Sequence, residues 1–125
     1  MEVHVAAPSD RRLLPAADAL GIVAFATLGL FLHDEALSPA GYARDALPVL
    51  AGWYAAALAF GAYRRPSWRT LLATWIVGVP AGVLARALVL GRDLDGDQAV
   101  FLGITLAFTL LFVVAARAAT RALVR

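Results

Sequence analysis

AVFLGITLAFTLLFVVAA, residues 99–116, runs for 18 residues without a charged side chain. As a helix it is ~27 Å long, close to the ~30 Å hydrocarbon thickness of a bilayer. Three stretches of the same character precede it, at about 13–32, 47–63 and 68–90. Composition agrees: 62% of the 125 residues are apolar, 16% are charged, and the mean hydropathy is +0.76. A water-soluble domain usually carries about 25% charged residues, and one this small has no interior large enough for so much apolar surface. The expected fold is an all-α integral membrane protein: one domain, 1–125, forming a four-helix transmembrane bundle. Strands are excluded because four of them cannot close a barrel. The same arithmetic excludes a soluble enzyme, a disordered tail and a nucleic-acid-binding protein.

The basic residues orient the bundle. All 11 are arginine, and cysteine is absent, so thiol chemistry and disulfides are excluded. Arg11 and Arg12 precede the first span, Arg64, Arg65 and Arg69 join the second to the third, and Arg117, Arg121 and Arg125 follow the fourth. The opposite connections hold only Arg44 and Arg92, beside Asp34, Glu35, Asp45, Asp93, Asp95 and Asp97. Under the positive-inside rule both termini are cytoplasmic, in the inner or plasma membrane, and the lipid bilayer is the first partner. An even number of spans requires the same. Trp68, Tyr42 and Tyr63 are expected as interfacial anchors. A rival reading takes Arg11-Arg12 and the first apolar run as a signal peptide cleaved near Ser38-Pro39-Ala40. That run is longer than a usual signal core and contains Asp18.

Polar residues within the spans carry the functional reading. Arg86, near the outer end of the third span, would be expensive in hydrocarbon unless it faces the bundle or reaches the interface. Asp18 lies roughly 20 Å away along the membrane normal, so it is not the partner. His33, Asp34, Glu35 and Asp45 lie level with Arg86, and a charge-assisted contact to Asp34 or Asp45 is expected. Gly78 and Gly82 form a GxxxG line that Arg86 continues, with Pro80 between them expected to bend the helix near Trp75-Ile76. In the first span Asp18, Ile22, Phe25, Gly29 and Leu32-His33 share the expected inward face, with Arg69, Arg117 or Thr70 to satisfy Asp18. Inward-facing Asp18 is either a structural pair or a protonatable site.

No metal or cofactor site is expected. His33-Asp34-Glu35 has ligand-type side chains, but the only other histidine is His4, at the opposite end. Asp93, Asp95 and Asp97 match the first half of a calcium loop, yet Gln98 and Ile104 stand where glycine and glutamate are required. No nucleophile sits beside a base, so no catalytic residue is assigned and the chain is expected not to be an enzyme.

Asp18, Gly29 followed by His33, Leu47-Pro48 with Gly52-Trp53, and Gly82 with Arg86 occur here in an order that resembles a small prokaryotic membrane family. That family is catalogued as domain of unknown function 3054. The resemblance spans roughly Asp18 to Arg117, with Leu30 departing from the arginine that follows the glycine in the family pattern. It implies a four-helix membrane protein with no established activity, and it adds Trp53 and Gly52 to the residues of interest. Three classes of function stay open: a small oligomeric transporter or channel for an ion or small solute, an accessory subunit of a larger membrane complex, and a membrane-embedded enzyme. A homo-oligomer or larger complex is expected because four thin helices enclose little space.

Overall fold

A computed structural model describes residues 8–123, with side chains from Arg12 onward, so His4, Arg11 and Arg125 lie outside the described side chains. The described residues form five helices and no strand: α1 Pro8–Leu32, α2 Pro39–Asp45, α3 Leu47–Phe60, α4 Trp68–Val89 and α5 Gly96–Leu123. Parts of α1, α4 and α5 are long and apolar enough to cross a membrane, whereas α3 has 14 residues, ~21 Å of helix. The outward surface is apolar to match, with Phe31, Leu58, Ile76, Leu88 and Leu111 among its exposed side chains.

Local chemistry sets the boundaries. The second apolar segment was expected to reach residue 63, but Gly61 adopts φ 70° and stops α3 at Phe60. There the Ala62 N–H donates to the Ala57 carbonyl at 2.9 Å and the Gly61 N–H to Leu58, the paired bonds of a Schellman end. Gly91 (φ 68°) ends α4 the same way through Arg92 and Ala87, and Asp34 (φ 58°) ends α1 through Glu35 and Leu30. Ser67 and Thr70 open α4 with a reciprocal capping box. Helix α2 had no apolar signature. It begins where the Ser38 hydroxyl accepts the Gly41 N–H at 3.1 Å with Pro39 in the first turn. Ser38-Pro39-Ala40 is thus the start of a helix. Helix α4 runs unbroken through Pro80.

The helices associate as two close pairs. In the first, Gly52 of α3 meets Gly78 and Gly82 of α4. A Cβ on Gly82 would lie 2.7 Å from the Pro48 carbonyl oxygen and the Val49 Cα; one on Gly78, 2.9 Å from the Gly52 oxygen. Backbone touches backbone, the packing that small residues permit in lipid. In the second pair, a Cβ on Gly21 of α1 would lie 2.9 Å from Phe112 and Val113 of α5. Gly29 was expected to play that part and does not, since a Cβ there meets nothing within 4 Å. The buried line of α1 is Asp18, Ile22, Ala26 and Leu30. It advances in steps of four, which turns Gly29 toward open space and leaves Leu32 and His33 exposed. Trp53, Val49, Val79, Val83, Ile22 and Val113 fill the core between the pairs.

Gly82→Ala should destabilise the protein by about 3 kcal/mol, because the methyl group collides with backbone that cannot yield. Gly29→Ala should be neutral or stabilising by about 0.5–1 kcal/mol, because alanine favours the helix and the space is open. Thermal unfolding of the two variants in detergent checks both.

Candidate functional site

Two arginine-centred clusters occupy opposite ends of the bundle. At the end shared by the α3–α4 turn and the C-terminal part of α5, Asp18 is fully buried. Arg117 holds it with both prongs of the guanidinium, Nε to Oδ1 at 2.7 Å and Nη2 to Oδ2 at 2.8 Å. The Trp53 indole donates to Oδ2 at 3.0 Å and the Tyr63 hydroxyl at 2.6 Å. Each donor comes from a different element. Arg117 lies on α5, Trp53 projects from the buried face of α3, and Tyr63 is returned toward the core by the turn that Gly61 permits. Beside them the Tyr54 hydroxyl donates to the Pro15 carbonyl at 2.7 Å, a second tie from α3 to α1. A buried carboxylate with four donated hydrogen bonds meets the requirement that a desolvated charge be both paired and hydrogen-bonded.

Three residues had been expected to satisfy Asp18, and the geometry selects one. Arg69 is exposed and Thr70 closes the α4 cap, leaving Arg117. Tyr63 is therefore an internal donor and not a headgroup anchor. Tyr42 is likewise bonded at 2.6 Å to Thr27, whose own hydroxyl donates to the Val23 carbonyl. Trp68 is exposed at the start of α4.

At the other end Arg86, 7% exposed, donates to Asp45 at the close of α2, Nη2 to Oδ1 at 3.0 Å. Arg44 grips the same carboxylate, Nε to Oδ1 at 2.9 Å, and reaches Glu35 at 2.7 Å. The Arg86 guanidinium also lies 4.5 Å from the centroid of the Phe101 ring of α5, within cation–π range. Burial alone would raise the Asp45 carboxyl, but the hydrogen bonds and charges of Arg44 and Arg86 outweigh it and hold the group below the usual carboxylate range. Asp45 in turn raises Arg44, keeping it charged.

Of the two acids expected near Arg86, Asp45 is therefore the partner. Asp34 ends α1 in a left-handed conformation and is exposed. His33 is exposed beside it, and no group of three potential metal-ligating side chains occurs among the described residues. In the Asp93–Asp97 segment, Asp95 accepts the Asp97 and Gln98 N–H groups at 3.0 and 3.3 Å, so its carboxylate caps α5. Phe101 and Arg117 are sixteen residues apart on α5, which separates the clusters by ~24 Å of helix.

Sequence reading missed Arg44, Phe101 and Gly21, and it placed Tyr63 at the interface. Gly61 was the available signal for Tyr63, because a glycine two residues earlier marks a chain reversal. Nothing local marked the other three.

The family described as "Protein of unknown function (DUF3054)" matches residues 15–120. No curated protein and no solved structure matches the chain.

Arg117→Leu strands a buried carboxylate and should lower stability by about 3–5 kcal/mol, with much of the loss recovered when Asp18→Asn is added. Thermal unfolding of the single and double variants checks this. Asp45 gives a pH signature. Its folded pKa is depressed, so its contribution is fully present above the unfolded value of about 3.9 and disappears as pH falls through the folded one. Stability should hold between pH 7 and about 5 and drop below about 4, and Asp45→Asn should remove part of that acid-side drop.

Proposed function

We propose, for a chain that belongs to the DUF3054 family of unknown function, that it is a four-span membrane protein passing an ion or small solute. In this reading α1, α3, α4 and α5 cross the inner membrane, α2 lies at its outer face, and both termini are cytoplasmic. Charge distribution supports the orientation. Arg12, Arg64, Arg65, Arg69 and Arg121 gather at the Asp18 end, with no carboxylate paired to them among the described residues. Such a basic collar suits the anionic cytoplasmic leaflet. The acids gather at the Asp45 end.

The observation that carries the transport reading is that each cluster joins the same two helix pairs at a different end. Asp18, bound by Arg117 within the α1–α5 pair, also accepts from Trp53 of α3 and from Tyr63, which follows it. Arg86 of the α3–α4 pair meets Phe101 of α5. Each pair is joined by backbone contact at its glycines, and the two pairs touch each other less extensively. Two closed polar clasps at opposite ends of two closely packed halves suit an alternating-access cycle. Opening one clasp while the other stays shut would expose the interior to one side only. Asp18 and Arg86 are then the inner and outer stations, and a homo-oligomer would enlarge the enclosed space.

A second reading has one observation in its favour: all six charges of the two clasps are partnered within the chain. A bundle clamped this way suits an accessory subunit of a larger membrane complex. Catalysis has no comparable support.

Proteoliposomes loaded with a membrane-potential dye separate the two. The transport reading predicts that an imposed potential or pH gradient decays several-fold faster than in empty vesicles, and that Asp18→Asn returns decay to the empty level. Equal decay in wild-type and empty vesicles would favour the subunit reading, which predicts a co-purifying partner retained by Asp18→Asn. Reporter fusions should place the C-terminus in the cytoplasm; a periplasmic C-terminus would refute the topology.

A further inference from the structure

The chain has six threonines, and four of them satisfy their hydroxyls locally. Thr27, Thr74 and Thr120 donate to the carbonyl four residues back, at 2.8, 2.7 and 2.8 Å, and Thr70 completes the α4 cap. Thr105 and Thr109 break the pattern. Both are 0% exposed, and neither hydroxyl has a partner among the described residues. The carbonyl four residues back is within reach of a χ1 rotation in any helical threonine, so leaving it unused requires that the hydroxyl be turned elsewhere. A buried hydroxyl without a partner is unfavourable, and the explanation of first resort is an internal water.

We propose that Thr105 and Thr109 hold a water molecule inside the bundle. They stand one turn apart on the buried face of α5, ~6 Å along the helix. A water bonded at ~2.8 Å to each hydroxyl bridges oxygens up to about 5 Å apart, within reach of two threonines one turn apart, whose Cβ atoms are separated by about 5–6 Å. Two neutral hydroxyls suit water and not a bare ion, which needs a charged or carbonyl-rich shell. The surroundings keep the place away from lipid. Phe25 of α1 stacks on Phe108 at 6.1 Å between centroids and meets Phe112 edge-on. On the α4 side the Trp75 indole donates to the Leu106 carbonyl at 2.7 Å, at the same level. Along α5 the site lies between Phe101, under the Arg86 guanidinium, and Arg117, on Asp18. Water there supplies a polar point between the two clasps, and it is present whether or not the protein transports anything.

Water-edited solid-state NMR of the labelled protein in bilayers tests this directly. Magnetisation transfer from water to Thr105 and Thr109 should be several-fold faster than to Val113, which is equally buried on the same helix. Thr109→Val, which keeps shape and removes the hydroxyl, should slow transfer to Thr105 and lower Tm by about 3 °C. Transfer to both threonines no faster than to Val113 would overturn the proposal. So would a Tm that rises in Thr105→Val or Thr109→Val, as relief of a dry, unpartnered hydroxyl gives.

Discussion

A carboxylate with no access to water dictates much of this architecture. Asp18 sits on a helix whose neighbouring residues are apolar, and its ionised form is tolerable there only if several donors converge on it. Convergence needs three elements at once. Helix α5 has to bring Arg117 alongside, α3 has to turn Trp53 inward, and the chain has to reverse at Gly61 so that Tyr63 comes back under the indole. Gly21 lets α1 and α5 approach closely, and Gly52, Gly78 and Gly82 do the same for α3 and α4. The polar cluster and the glycine contacts are therefore one design. A loosened helix pair would pull donors away from the acid, and a lost donor would leave charge in an apolar interior.

The Asp45 cluster uses a different device. Arg86 sits at the rim, where α2 provides Asp45 and Arg44 shares it. Its guanidinium also lies against the Phe101 ring, a contact that favours arginine over lysine because the flat delocalised cation stacks on an aromatic face. One end of the molecule is thus held by a bidentate arginine on a fully buried carboxylate, and the other by a partly wetted chain of alternating charges. The second end is the one more easily loosened by acid, since Asp45 is partly exposed and Arg44 and Glu35 beside it reach solvent.

Much of the helix layout was legible from hydropathy, because helices that face lipid must be apolar over long runs. Depth counting also worked. It excluded Asp18 as the partner of Arg86 and left Asp34 and Asp45, since rise per residue is fixed whatever the packing. What counting along the chain cannot supply is rotation and crossing. The inward face of α1 was drawn through Phe25 and Gly29, whereas its fully buried line runs through Asp18, Ile22, Ala26 and Leu30, with Phe25 half-buried against Phe108 and Phe112 of α5. The two lines agree at Asp18 and Ile22 and part by one residue after that, and the close backbone approach to α5 falls at Gly21 and not at Gly29. Choosing Arg117 over Arg69 for Asp18 likewise required knowing which helix lies beside α1, across a separation of 99 residues. Helix α2 escaped because a seven-residue polar helix has no hydrophobic period to read, only the Ser38-Pro39 start.

Asp18 is clasped by Arg117, and Arg86 is held by Asp45 at the far end. A rotational-echo NMR measurement in bilayers, with the Asp18 carboxyl labelled in ¹³C and arginine side chains in ¹⁵N, reads this contact without perturbing it. Strong dephasing of the Asp18 carboxyl that disappears in Arg117→Gln and persists in Arg86→Gln is the result predicted. Dephasing that vanishes with Arg86, or none in the wild-type protein, would contradict the account.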